Sequence, residues 1–367
     1  MNTMNKEETY LAKMPAPLLD WYDKNKRSMV WRDNPTPYYV WISEIMLQQT
    51  RIEAAKSYFI RFTSEIPDIE TLAKVPEERL MKLWEGLGYY NRARNLKKAA
   101  KVLVERYEGK MPADYDLLLE LPGIGPYTAG AISSIAYNKK AAAVDGNVLR
   151  VITRYLALSD DIMKMSFRNQ VAAWLVHIMP ERAGDFNQAV MELGEVVCIP
   201  NGVPLCDRCP LSGECKAFQE KTQMDFPVKP EKKTRRIEKR TVFIIEQNGK
   251  FSIRKRPDTG LLAGLWEFPS VVGGISMKEI KKSFGENSVI RKLEPDVHIF
   301  SHVEWHMDCY YISCSMQTGE MKDWELSKRE RVLSKRELVM VSLEELQTKY
   351  TLPVAFHGFR KQILDLQ

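Results

Sequence analysis

Apolar residues recur at intervals of three and four through the first part of the chain, as in Leu72, Val75, Leu80, Leu83, Trp84 and Leu87. That spacing is one face of an α-helix, so the stretch from about Tyr10 to Phe218 is predicted to be helical. Strand-like alternation is scarce there. From Gln219 to Arg240 the pattern breaks. Pro227 and Pro230 precede a basic run ending at Arg240, which reads as an exposed linker.

Beyond the linker the period becomes that of strands. Thr241–Gln247 and Lys250–Arg256 flank Asn248-Gly249, a two-residue hairpin signature. Val297 to Met316 is rich in aromatic and β-branched residues and is also predicted to be extended. Short helices are expected over Met277–Ser283, near Leu343–Lys349 and near His357–Leu366. An all-α region is therefore followed by a smaller α+β domain, with no internal repeat and no low-complexity tract.

The 367 residues allow two or three domains with real cores. A net charge of +6 permits a nucleic-acid partner without demanding one. Met1 to Leu19 has no apolar core of a signal peptide, and no stretch approaches a membrane span, so a cytoplasmic location is expected. Four of the six cysteines fall between Cys198 and Cys215, which in a reducing compartment points to metal ligation rather than disulfides.

The chemistry concentrates around two glycine-containing turns. Asp114–Leu121 reads as a short amphipathic helix, and Pro122-Gly123-Ile124-Gly125 turns the chain. Pro126 suits the first position of the next helix, where its missing N–H costs nothing. Gly130 and Ala131 are expected to let this helix pack closely on the first. The result is a helix–hairpin–helix over about 114–137, with the amides of Gly123 and Gly125 available to grip a phosphate.

Val144-Asp145-Gly146-Asn147 follows. Asp145 precedes a helix predicted over Asn147–Leu158, so it is either a helix cap or a carboxylate facing whatever the hairpin holds. Upstream, Glu44 lies in Tyr38–Thr50, a helix apolar almost all round. Burial there raises a carboxyl pKa and makes a general acid at neutral pH; the plainer reading is a narrow polar stripe shared with Gln48. A protonated carboxyl paired with an ionised one is the arrangement that cleaves glycosidic bonds, and on DNA the leaving group is a base.

Cys198, Cys206, Cys209 and Cys215 have seven, two and five residues between them. The spacing alone suits zinc or an iron–sulfur cluster. Cys309 and Cys314 stand apart and read as ordinary packed thiols.

Ser43-Glu-Ile-Met-Leu-Gln-Gln-Thr-Arg51, Trp84-Glu-Gly-Leu-Gly-Tyr-Tyr90, Leu121-Pro-Gly-Ile-Gly-Pro-Tyr127 and Val144-Asp-Gly-Asn-Val148 closely resemble adenine DNA glycosylases of the MutY family. The resemblance runs from about residue 10 to the C-terminus. It implies a multidomain fold: a helix–hairpin–helix glycosylase region over 1–220 with an iron–sulfur loop at 198–215, a basic linker at 221–240, and a Nudix-like α+β domain over 241–367. The implied activity is excision of adenine mispaired with 8-oxoguanine or guanine, after the nucleotide is flipped out of double-stranded DNA. A monomer with no membrane association and no assigned protein partner is expected.

Carried over residue by residue, Glu44 corresponds to the acid that protonates the base and Asp145 to the carboxylate that stabilises the sugar cation. Tyr127 and Asn147 correspond to residues supporting that intermediate. Arg27, Trp31, Arg32, Leu47 and Gln188 fall at adenine-pocket positions. Gln49, Thr50, Leu87 and Tyr89 fall where the family wedges into the duplex and touches the opposite base. The similar endonuclease III enzymes carry a strand-cutting lysine where this chain has Tyr127, which cannot form a Schiff base. The family's cysteines bind [4Fe–4S], although its first gap is one residue shorter; the turn-rich Ile199–Leu205 can absorb the extra residue. Arg208 and Lys216 stand near enough in sequence to meet phosphates.

Thr259–Pro269 is similar to the family's C-terminal domain. The glutamate-rich helix that a Nudix hydrolase needs for Mg²⁺ does not follow Gly274, which implies binding without hydrolysis. Phe300-Ser301-His302 matches the loop that senses 8-oxoguanine. Two other readings compete: a bifunctional endonuclease III-like glycosylase and lyase, and a non-catalytic mismatch-binding protein.

Overall fold

The structure is a computed structural model that describes residues 5–231, 234–284, 288–313, 325–328, 331–334 and 338–365. It divides into two compact units. One comprises Met1–Val75 and Asn91–Glu231, the other Pro76–Tyr90 and Lys232–Gln367. No helix among the described residues is long and apolar enough to cross a membrane.

The first unit is helical throughout. Its core gathers Leu18, Tyr22, Leu149, Ile152, Phe186 and Leu193 from the helices Pro15–Asn25, Gly146–Leu156 and Ala183–Val196. The helix Gly146–Leu156 is buried from Val148 to Leu156 and is the central element. The helix Pro37–Leu47 starts where Thr36 accepts a hydrogen bond from the Tyr39 amide at 3.2 Å, with Pro37 in the opening position. At its other end Arg92 Nη1 donates to the carbonyls of Ile45 and Gln48, both at 2.7 Å, and so satisfies orphan acceptors.

The hairpin forms between the helices Tyr115–Leu119 and Pro126–Ala131. Asp114 caps the first through the amides of Asp116 and Leu117. Gly123 has φ +80°, the left-handed conformation that glycine adopts without strain. The expected role of Gly130 needs correction. A Cβ there would meet the carbonyl oxygen of Ala142 at 2.0 Å, so this glycine admits the segment leading to Asp145 rather than the preceding helix. The helix after Asp145 spans Gly146–Leu156, not Asn147–Leu158, because Asp145 itself is the cap.

The second unit is built on a seven-stranded sheet. Its strands are β1 (Arg236–Gln247), β2 (Lys250–Lys255), β3 (Trp266–Glu267), β4 (Ser270–Val272), β5 (Val289–Ile299), β6 (Val303–Ser313) and, after a separate ribbon of β7 (Glu325–Lys328) and β8 (Arg331–Ser334), β9 (Leu338–Val341). The β1–β2 hairpin closes at Gln247 and Lys250, with Asn248 and Gly249 both at positive φ. β1 pairs in parallel with β6 from Arg236↔Val303 to Glu246↔Ser313. That long ladder draws Arg236–Arg240 out of the expected linker and into the sheet. The extended run expected over Val297–Met316 is interrupted at residues 300–302, where β5 turns back into β6. Cys309 is buried, whereas Cys314 lies outside the described residues.

Helices at Met277–Phe284, Leu343–Thr348 and His357–Leu364 complete this unit. One face of the sheet packs Val242, Ile253 and Trp305 against Phe356 and Phe359. The other packs Phe243 and Ile245 against Ile280.

Candidate active site

A cavity of about 1240 Å³ opens within the first unit. Glu44 and Leu47 reach it from the helix Pro37–Leu47, with Gln49 and Thr50 following that helix. Tyr127 comes from the helix after the hairpin, and Asp145 and Asn147 from the next turn. Arg27, Trp31, Arg32 and Gln188 complete the wall. Eleven of the residues singled out from sequence thus share one cavity, drawn from five separate stretches of chain.

Glu44 is 8 % exposed, and its carboxylate accepts a hydrogen bond from the Tyr127 hydroxyl. Burial pushes its pKa up to about 7; the Tyr127 hydroxyl opposes that rise, and the Asp145 charge adds to it. Burial, with Glu44 and Asp145 alongside, also holds the Tyr127 phenol well above its ordinary range, so this tyrosine is a neutral donor.

Asp145 caps a helix and also lines the cavity. Its Oδ1 accepts from the Val148 amide at 2.8 Å and caps the helix Gly146–Leu156, while Oδ2 accepts from Asn147 Nδ2 at 2.7 Å on the cavity wall. Burial raises its pKa too, and these donors, with Arg150 nearby, offset only part of that rise. Both oxygens of Asp145 act as acceptors, whereas Glu44 receives only the phenol from within the site. The first shared proton therefore belongs on Glu44.

Sequence reasoning missed several residues that shape the cavity. Glu192, 2 % exposed, accepts from Arg27 Nε at 2.5 Å and from Arg32 Nη2 at 2.9 Å. Its pKa is lowered because the two guanidiniums outweigh the burial that acts against them. The two pocket arginines are thus held by a buried carboxylate. A signal was present: Gln188, Met191, Glu192 and Glu195 follow helical spacing on one face, and all four line the cavity. Asn187 is buried and ties the approach to Asp145, donating to Ser134 Oγ and the Ala141 carbonyl at 2.8 Å each and accepting from the Ala143 amide at 3.2 Å.

Arg150 connects the cavity wall to the cysteine loop. Its Nη2 donates to Asn147 Oδ1 at 2.8 Å and its Nε to the Cys198 carbonyl at 2.8 Å. Arg154 Nη1 approaches Cys198 Sγ at 3.3 Å. The four cysteines are half-buried and within electrostatic reach of one another. Burial, with the neighbouring sulfurs adding to it, pushes Cys209 up to about 12. Among the described residues no three His, Cys, Asp or Glu side chains converge as the ligands of a single metal ion. Four soft donors within electrostatic reach of one another, beside two buried arginines, suit a net-negative centre. The first gap forms a loop closed by the Leu205 amide on the Val197 carbonyl at 2.9 Å. Lys216 lies over the Tyr10 ring at 4.5 Å, and Arg208 is exposed.

The remaining singled-out residues are not among those that line this cavity. Gly123 and Gly125 are exposed on the hairpin. Leu87 and Tyr89 belong to the second unit; Leu87 is 7 % exposed and Tyr89 52 %. Gln49 and Tyr89 share an uncommon feature, a left-handed backbone at a non-glycine residue, with φ +59° and +46°. Ser301 and His302 are exposed at the β5–β6 turn, with Ser301 Oγ 3.2 Å from His302 Nδ1. Phe300 is anchored edge-on against Trp305 at 4.9 Å.

Known proteins resemble this chain over both of its units. Residues 42–175 match the family described as HhH-GPD superfamily base excision DNA repair protein, and residues 241–362 match the NUDIX domain. An adenine DNA glycosylase of Mus musculus is 36 % identical over 361 residues, covering 81 % of this chain and 70 % of the relative. One of Arabidopsis thaliana is 38 % identical over 83 % of this chain, which spans 54 % of that relative's length. A solved thermostable thymine-DNA glycosylase superposes with a TM-score of 0.52 at 28 % identity, over 59 % of this chain and 98 % of its own. The extent and identity of the match to the Mus musculus relative, with the two domain matches, show that the chain belongs to the adenine DNA glycosylase family of helix–hairpin–helix base-excision repair proteins.

Proposed function

We propose that this protein removes adenine from double-stranded DNA where it stands opposite 8-oxoguanine or guanine, with Glu44 as general acid and Asp145 as the carboxylate that stabilises the sugar cation. Its family makes it a DNA N-glycosylase of base excision repair. The observation that carries the residue assignment is the division of labour between two carboxyls on one wall. Glu44 has its pKa raised to about 7, and each oxygen of Asp145 accepts a hydrogen bond.

In this reading Glu44 gives its proton to adenine N7. The C1′–N9 bond breaks with its electron pair passing to the base, and an oxocarbenium-like sugar is left beside Asp145. Asn147 orients that carboxylate, and Tyr127 holds the acid. Water adds at C1′, and its proton returns to a carboxylate. Tyr127 supplies no amine, so no Schiff base forms and the abasic strand stays intact until alkali cleaves it. The amides of Gly123 and Gly125 grip the backbone. Gln49, Thr50, Leu87 and Tyr89 meet the opposite strand, and Ser301 with His302 reads the altered N7–H and O8 edge of 8-oxoguanine.

Cys198, Cys206, Cys209 and Cys215 would hold a [4Fe–4S] cluster. Such a cluster would supply structural support; Arg150 and Arg154, which hold Cys198 through its carbonyl and sulfur, would offset its charge.

The test is a panel of duplexes with adenine opposite 8-oxoguanine, guanine or thymine, and one with thymine glycol. Base release opposite 8-oxoguanine and guanine that needs alkali for strand scission is expected. Strand cutting at thymine glycol without alkali would replace this function with a lyase, and binding without release would replace it with a mismatch-binding protein.

A further inference from the structure

Residues 76–90 lie in the helical half of the sequence, yet they form part of the second compact unit with residues 232–367. The fastening is ionic and largely buried. The Glu85 side chain is 10 % exposed and faces Lys82 Nζ at 2.5 Å, Arg360 Nη1 at 2.9 Å and His357 Nε2 at 3.3 Å. Lys82 also donates to the Tyr350 carbonyl at 3.1 Å and reaches that of Leu346 at 3.5 Å. Lys82 therefore sits at the C-terminal end of the helix Leu343–Thr348. Glu85 sits against the opening turn of the helix His357–Leu364. The Lys82 charge thus meets carbonyls at a helix C-terminus, whose dipole it complements.

This clamp lies immediately before the turn that carries Leu87 and Tyr89, which Trp84 Nε1 closes by donating to the Gly88 carbonyl at 3.1 Å. The helix that receives Glu85 also holds the strand leading to the other opposite-strand element. Gln362 accepts from the Glu294 amide at 3.0 Å and donates to the Glu294 carbonyl at 3.2 Å. Gly358 lies so near Asp296 that a Cβ would meet its Oδ2 at 2.5 Å. Both partners are in β5, which runs directly into Phe300-Ser301-His302. Phe356, just ahead of the helix, packs on Trp305 at 6.3 Å, the ring that seats Phe300.

We propose that Glu85, with Lys82, is a positioning residue for opposite-base recognition. It locks the turn bearing Leu87 and Tyr89 onto the helix that braces the 8-oxoguanine-sensing turn, so that the two readers of the opposite strand act as one body. This rests on the assignment of those residues to the opposite strand.

The experiment uses the full chain with Glu85→Gln, Arg360→Gln, both together, and the charge-exchanged pair Glu85→Lys with Arg360→Glu. Single-turnover adenine release is measured opposite 8-oxoguanine and opposite guanine, below and at saturation. Each single substitution is expected to lower the preference for 8-oxoguanine roughly tenfold, the scale of a lost buried charge-assisted hydrogen bond. The saturated rate opposite guanine stays at the parent value. The double removal costs no more than either single one, and the exchanged pair recovers most of the preference. A purely structural role would lower the melting temperature while leaving the preference unchanged, and that result overturns the proposal. Ser301→Ala with His302→Ala is run alongside. If that variant loses preference while the Glu85 variants keep it, the clamp is refuted and the sensing turn stands. If it too keeps full preference, the sensing assignment fails and the clamp falls with it. Should Glu85→Gln not fold, Lys82→Met and the exchanged pair decide by the same criterion.

Discussion

Replacing Tyr127 with phenylalanine should move the alkaline limb of the excision rate upward in pH. The phenol donates to Glu44, and a donor to the ionised form favours ionisation, so it restrains a pKa that burial has already carried to about 7. A hydrogen bond to a charged group is worth about 1.5–3 kcal/mol. At about 1.4 kcal/mol per pH unit, its loss raises the pKa of Glu44 by roughly one to two units. The acid must be protonated to work, so wild-type excision falls as pH rises through about 7, and the variant holds its rate to roughly 8 or beyond. The assay is single-turnover release of adenine opposite 8-oxoguanine at subsaturating protein across pH 5.5 to 9.5, a range set to bracket that pKa with about two units on either side. That regime reports the free protein's ionisations. The amplitude can also drop, because Tyr127 lines the reacting centre, but the position of the limb is independent of amplitude. A limb that stays in place or moves to lower pH would refute the proposed coupling of Tyr127 to the acid.

Glu44→Gln should abolish excision yet stabilise the fold at alkaline pH. A folded-state pKa raised from 4.5 to about 7 gives stability that is complete below 4.5 and lost as pH rises through 7, a difference of about 3 kcal/mol. Melting curves of variant and parent should converge near pH 4.5 and diverge by pH 8; parallel curves would count against a buried, neutral Glu44. Asp145→Asn should eliminate base release and keep DNA binding, with a stability change under about 1 kcal/mol because asparagine caps helices well; near-normal single-turnover release would remove Asp145 from the chemistry. Gly130→Ala should cost about 1–3 kcal/mol and slow excision, since its Cβ meets the Ala142 backbone just ahead of Asp145; a neutral effect in both measurements would show that the segment yields freely. Cys209→Ser should lower the iron-to-protein ratio of the purified protein by elemental analysis, and an unchanged ratio would exclude this thiol as a ligand.

Parts of this protein could be read locally. The hairpin at Asn248-Gly249 formed where its residues require positive φ, and the turn at Gly123 did likewise. The helix cap at Asp145 and the apolar run around Glu44 were equally plain, because each depends on neighbours a few residues away. The parallel pairing of β1 with β6 was not legible. Both strands alternate suitably for many partners, and a strand carries no local mark of which partner it takes or in which direction. Glu192 escaped notice because its partners Arg27 and Arg32 lie some 160 residues away. Gly130 was read correctly as a close-approach residue but assigned the wrong neighbour.

Sequence by itself determined the kinds of chemistry available here: a carboxyl in an apolar helix, a carboxylate on a glycine turn, a phenol just after the hairpin, and four clustered thiols. Only the tertiary structure decided which groups touch. It brought Tyr127 onto Glu44 across 83 residues and set Glu85 beside Arg360 across 275. The physical reason is that backbone preference and hydrophobic period act over one or two turns of chain. A carboxyl's protonation, by contrast, is set by the burial and the few donors within hydrogen-bonding distance, and those come from wherever the core has closed.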